Sequence, residues 1–121
     1  MSVSQQWQLF KILAAILHLG NISITTISKR STDSDIKTED EALQHTMTLL
    51  GLKSADFIKW ICKRKIQTSN ESVITPRDPK EATQSRDALA KFIYSQLFDW
   101  YVLIILFFKK KIPNFLKIQG L

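Results

Sequence analysis

The residues able to do chemistry in this 121-residue chain are few: two histidines, His18 and His45, and one cysteine, Cys62. A zinc-type site needs about four nitrogen or sulfur ligands at short, regular spacing, and no such spacing occurs here. His18 falls inside an apolar helical stretch and reads as a core histidine; Met47 reads as a core residue too. No set of Ser, His and Asp stands out as a nucleophilic triad. The acids gather between Asp33 and Glu41, five of them against the single Lys37, which is a solvation and capping pattern rather than an acid–base pair. Three scattered glycines cannot build a phosphate-cradling loop. The chain's own residues therefore show no catalytic, cofactor-binding or metal site.

Charge points to binding instead. The net charge is +6, with compact basic runs at Lys63-Arg64-Lys65 and Lys109-Lys110-Lys111. Such a balance suits an acidic partner: a protein surface, anionic lipid or nucleic acid. Nucleic acid is disfavoured, because Trp60 precedes the first run but no aromatic is interleaved in the loop after it. A single cysteine excludes an intrachain disulfide and fits a reducing compartment. The apolar stretch Leu9–Leu19 lacks a basic leader and contains Lys11 and His18, so it is no secretory signal, and a cytoplasmic chain is expected.

The elements that must position these charges follow from periodicity. QQWQLFKILAAILHLGN reads as a helix apolar on nearly every side, with Trp7, Phe10, Leu13, Ala14 and Leu17 on one stripe and a stop at Gly20-Asn21. ISITTI offers a short strand through Ile22, Ile24 and Ile27, and 28–37 reads as an exposed polar loop. Thr38 and Glu41 have the form of a capping box opening a second helix that carries Leu43, Met47 and Leu50 and ends at Gly51. Ser54 is placed to cap a third helix bearing Phe57, Ile58, Ile61 and Cys62. From Lys63 to Arg77 the helical period is lost, which suggests a loop or loose hairpin closed by Pro76. Asp78-Pro79-Lys80-Glu81 then combines an Asp N-cap, Pro at the first helical position and Glu at the third, opening a long last helix. The expected fold is mainly α, with four helices, one short strand and a loose hairpin, and its core between the first and last helices.

One stretch breaks the pattern. In FDWYVLIILFFKKK, the nine residues Trp100–Phe108 are apolar without interruption and three lysines follow. As a helix that run covers about 13 Å, against roughly 30 Å of bilayer hydrocarbon, so a membrane span is disfavoured. An interfacial segment over 100–111 is the alternative.

Three stretches, taken in order, resemble the myosin motor domain: QQWQLFKILAAILHLGNI, then FIKWICKRKI leading into SNESVITPRDP, then SRDALAKFIYSQLFDW. The likeness is nearest to class V myosins of fungal type and covers roughly residues 4–101, so that 1–101 is expected to be one partial motor domain. It implies an incomplete piece of the P-loop-type α/β motor fold, from the upper 50K subdomain. It further implies that the loop after Cys62 is the actin-contacting surface loop, often called the cardiomyopathy loop, with Lys63, Arg64, Lys65, Glu71 and Arg77 as its actin-facing residues. In this family the residue sixteen before the Asp of DALAK is acidic or phosphorylatable; counting back from Asp87 gives Glu71, already acidic.

The resemblance also implies what lies elsewhere. The complete motor binds ATP and Mg and is an actin-activated ATPase, whereas this chain lacks the phosphate loop, switch I and switch II. Alone it is expected to hold no cofactor and to be inactive. The implied partners are actin filaments and the remainder of the motor, in the cytoplasm. Residues 102–121 depart from the family pattern and are expected to be read-through of an intron or a frameshift. Two other readings stand beside the motor piece: a small non-enzymatic actin-binding or inert product, and a membrane-interface peptide.

Overall fold

A computed structural model describes the backbone of residues 2–118 and the side chains of residues 2–107. Four helices and two small antiparallel sheets make a mainly helical molecule: α1 (Val3–Gly20), β1 (Thr25–Thr26), β2 (Ser34–Asp35), α2 (Glu41–Leu50), α3 (Ser54–Cys62), β3 (Lys63–Gln67), β4 (Ser72–Pro76) and α4 (Pro79–Ile118). The second basic run, Lys109-Lys110-Lys111, lies outside the residues whose side chains are described.

Helix starts follow local hydrogen-bonding chemistry. Ser2 and Gln5 form a reciprocal capping box at the head of α1, a signal the periodicity reading passed over. At α2 the expected box fails. Asp40, not Thr38, is the cap: one carboxylate oxygen accepts from Leu43 N–H at 3.0 Å and the other from Ser23 N–H at 3.1 Å. A charged acceptor at the positive end of a helix outcompetes a neutral hydroxyl, and Thr38 turns to Glu39 instead. Ser54 is likewise the first helical residue and no cap; Lys53 occupies that position without a side-chain bond. The start of α4 is as expected, with Asp78 Oδ1 accepting from Glu81 N–H at 2.8 Å. Gly51 ends α2 at φ 68°, where any side chain would be strained.

The core forms at one end of the molecule. Leu19, Ile22, Ile36, Leu43, Met47, Phe57, Ile61, Cys62 and Ala82 pack into one cluster, so α2, α3 and the segment before them contribute more than the long helices do. This overturns the expected core between α1 and α4 along their length. Trp7 and Phe10 are 64% and 57% exposed. The loop expected to be exposed over 28–37 is also more structured: Ser34 and Ile36 are buried, and Ser34–Asp35 pairs with Thr25–Thr26. Within ISITTI only those two threonines form strand; Ile22 is buried and Ile27 faces water. Met47 is in the core, whereas His18 is half-buried, its ring tilted 38° against that of His45 at 4.8 Å.

α4 runs through the apolar stretch. Over Pro79–Phe107 the helix is long and apolar enough, by length and composition alone, to cross a bilayer, and little of its apolar stretch is buried.

Candidate functional site

The basic run stands on a regular hairpin. β3 and β4 pair antiparallel over five residues, from Lys63 opposite Pro76 to Gln67 opposite Ser72, so of the loop or loose hairpin expected here the hairpin is present, as an ordered ribbon. Alternation along the strands puts Lys63, Lys65, Ser72 and Ile74 on one face, and Arg64, Ile66, Val73 and Thr75 on the other. Residues 68–71 make the tip. Thr68 donates from both N–H and hydroxyl to the Glu71 carbonyl, and its hydroxyl accepts from Glu71 N–H at 3.1 Å. The Glu71 backbone is thus fixed while its carboxylate faces solvent.

Arg77 roots the ribbon. Its Nη1 donates to the carbonyls of Trp60 and Ile61 at 3.0 and 3.2 Å and to the Ser85 hydroxyl at 2.9 Å. Its backbone N–H donates to Cys62 and its carbonyl accepts from Ser34 N–H, both at 2.8 Å. A cation is thereby set on the open carbonyls at the end of α3, where the helix dipole favours it. Arg77 therefore ties α3, β2 and α4 to the foot of the hairpin, and its guanidinium is turned inward.

The five residues singled out from sequence separate into three places. Lys63, Arg64 and Lys65 are exposed on β3, Glu71 is exposed at the tip, and Arg77 is half-buried at the foot. Lys63 and Gln67 are four residues apart, about 13 Å along a strand, and Glu71 lies beyond. At physiological salt the Debye length is about 8 Å, so Glu71 and Lys63 present separate charges to a partner. Among the described residues Lys63, Arg64 and Lys65 form no ion pair, whereas Arg86 pairs with Asp87 at 2.9 Å.

Sequence reasoning missed two features. Lys59 and Trp60, on the last turn of α3, combine with the hairpin to line a cleft of about 540 Å³. Their spacing from Lys63 was visible, but not that the strand would fold back beside the helix. The second is Arg86, whose Nη1 donates to the Ile22 carbonyl at 2.9 Å and so joins α4 to the end of α1. Cys62 is not a reactive centre: burial pushes its thiol up, outweighing the Ser34 hydrogen bond and the lowering influence of Arg77 and Lys63. Among the described residues no group of three or more His, Cys, Asp or Glu could hold a metal.

Comparison with known proteins agrees with the three stretches quoted above. The family model for the myosin head (motor domain) matches residues 1–112. Myosin-2B of Naumovozyma castellii is 48% identical over 97 residues, covering 80% of this chain and 7% of that protein. Human unconventional myosin-Vc is 47% identical over 97 residues, covering 80% of this chain and 6% of its own length. Mouse unconventional myosin-Vb is 42% identical over 100 residues, 82% of this chain and 5% of its own. The chain thus spans only a small part of the relatives it matches, and that part lies in the motor domain. With a family model covering most of its length, the chain belongs to the myosin motor-domain family.

Proposed function

We propose that the β3–β4 hairpin is the actin-facing loop of an actin-based motor ATPase, and that residues 1–101 belong to the upper 50K part of its α/β, P-loop-type fold. The observation that carries this is the ribbon itself: Lys63, Arg64 and Lys65 stand exposed and without ion pairs among the described residues, on a hairpin rooted by Arg77 and tipped by Glu71. An exposed cationic ribbon steers an acidic filament surface and sets the on-rate more than the final affinity. Glu71 at the tip supplies the opposite sign at a separate point and fixes which way round the ribbon lands. ATP and Mg belong to the complete motor, as does force production. The complete protein would act in the cytoplasm on the actin cytoskeleton, moving vesicles or organelles.

Cosedimentation of this chain with actin filaments tests the reading. Binding should fall steeply between about 50 and 200 mM salt, as expected for exposed charges, and the Lys63→Ala/Arg64→Ala/Lys65→Ala variant should lose most of it. No binding of the unchanged chain at low salt would sink the proposal. Binding without any turnover of ATP would identify a non-enzymatic actin-binding product.

The length and composition of α4 favour a second reading, a membrane-associated chain held through residues 100–111. Flotation with anionic liposomes, lost on truncation after Trp100, would establish it. We further propose that family sequence gives way to foreign sequence after residue 101, although the family model extends to residue 112. Transcripts read across the codons for Asp99 to Lys111 decide that point.

A further inference from the structure

The cleft between α3 and the hairpin combines cationic and apolar side chains. Lys59, Lys63, Arg64, Lys65 and Arg77 line it together with Ser72 and the apolar Trp60 and Ile74. No carboxylate lines it. Trp60 is 59% exposed and Ile74 50% exposed. Among the described residues no cation stacks on the indole, so its face is open to a partner. The Trp60 backbone is held by the bond from Arg77 Nη1 to its carbonyl. A large aromatic on a pinned backbone loses little entropy when it is covered, which is what a binding anchor requires.

We propose that this cleft seats a segment of a partner protein in which carboxylates flank one apolar side chain. Trp60 is the apolar anchor, and Lys59, Lys63 and Lys65 receive the carboxylates. The inference rests on the actin-facing reading of the hairpin and adds Trp60, which lies on the helix before it, as the residue that selects the seated segment. The two kinds of contact separate physically. Cation–carboxylate contacts weaken as salt rises, whereas burial of the indole does not. Lysine losses should flatten the salt dependence; loss of the indole should lower affinity equally at every salt concentration.

The test uses the full 121-residue chain carrying Trp7→Phe and Trp100→Phe, so that Trp60 is the sole indole. Its fluorescence is followed while actin filaments are added, and separately while a synthetic peptide of four glutamates around one leucine is added. The expected result is a change in Trp60 emission with both. A Trp60→Ala variant, followed by cosedimentation and by peptide anisotropy, should bind roughly tenfold more weakly at all salt concentrations, in the range of aromatic interface anchors. Trp60→Phe should recover most of the binding. If Trp60→Ala binds filaments as tightly as the parent while the lysine variants fail, the anchor is overturned and the actin-facing reading survives. If filaments do not bind but the peptide does, and loses affinity when its leucine becomes serine, the cleft is right and the partner is another acidic protein. A preference for an oligonucleotide or for anionic vesicles over the peptide overturns the proposal.

Discussion

At one end of the molecule Leu19, Leu43 and Phe57 are shielded completely from water; at the other, Trp7, Phe10, Phe92 and Phe98 stand more than half exposed. Both ends present apolar side chains from helices. The difference lies in how many neighbours each end has. Around Phe57, the helices α2 and α3 and the β2 segment close over the ends of α1 and α4, so each apolar stripe finds a facing one. Further out only α1 and α4 meet, and two helices can bury only the seam between them. A groove of about 430 Å³ remains there, lined by Leu9, Ile12, Phe92, Ile93, Leu97 and Trp100. Hydrophobicity thus marks which surfaces want cover, and only the neighbours in three dimensions supply it.

The comparison makes a first prediction at its strongest point. Phe57→Ala should cost about 3–5 kcal/mol, enough to abolish cooperative unfolding in a small domain. Phe10→Ala should cost less than about 0.5 kcal/mol. Urea titrations followed by circular dichroism measure both, and an equal loss at the two sites would break the distinction between a packed and an open end.

Next in size is the foot of the hairpin. Arg77→Ala strips a charged donor from three acceptors and should cost about 2–3 kcal/mol. Arg77→Lys should recover only part, since the lysine nitrogen sits one bond short of the Nη1 that makes all three contacts. Amide exchange across 63–76 reads the effect directly, and unchanged protection in Arg77→Ala would show that the ribbon is held by its own ladder.

The caps give a smaller and sharper contrast. Asp40→Ala should lower the melting free energy by about 1 kcal/mol, while Thr38→Ala leaves it unchanged; the reverse order would restore the capping box expected from sequence. The uncovered apolar side chains at the open end should drive self-association, and Trp7→Gln with Phe92→Gln should reduce it in sedimentation velocity while leaving stability within about 0.5 kcal/mol. Continued association would place the sticky surface elsewhere.

Cys62 supplies the smallest effect. A thiol raised by burial holds its proton more firmly folded than unfolded. Its contribution is fully present below the ordinary thiol value of 9.0 and is lost as pH rises through the raised folded value. Stability should therefore fall on the alkaline side, and Cys62→Ser should flatten that fall. Alkylation at neutral pH should be slow unless the chain is first unfolded.

Local chemistry explains which parts were legible in advance. The Asp78-Pro79-Glu81 start and the Gly51 stop depend on residues within a turn of one another, and both stand as expected. Lys63, Arg64 and Lys65 were legible as a basic run because they are consecutive, and the structure leaves them and Glu71 exposed. Ser34 and Ile36 were not legible, because a polar stretch reads as solvated unless a remote strand covers it. Here that cover comes from Thr25–Thr26 and from the Arg77 carbonyl. Arg77 itself was placed among the partner-facing charges, yet its guanidinium meets carbonyls at the end of α3.

The sequence by itself determined the start of α4 and the stop of α2, which residues carry charge, and the family to which their order belongs. These are short-range matters of capping, periodicity and identity. Only the tertiary structure decided which apolar stripes are covered, that Asp40 bonds across to Ser23, and that Trp60 shares a cleft with the basic strand. Each of these joins residues distant along the chain or turned together by a fold, and burial and electrostatics act through space.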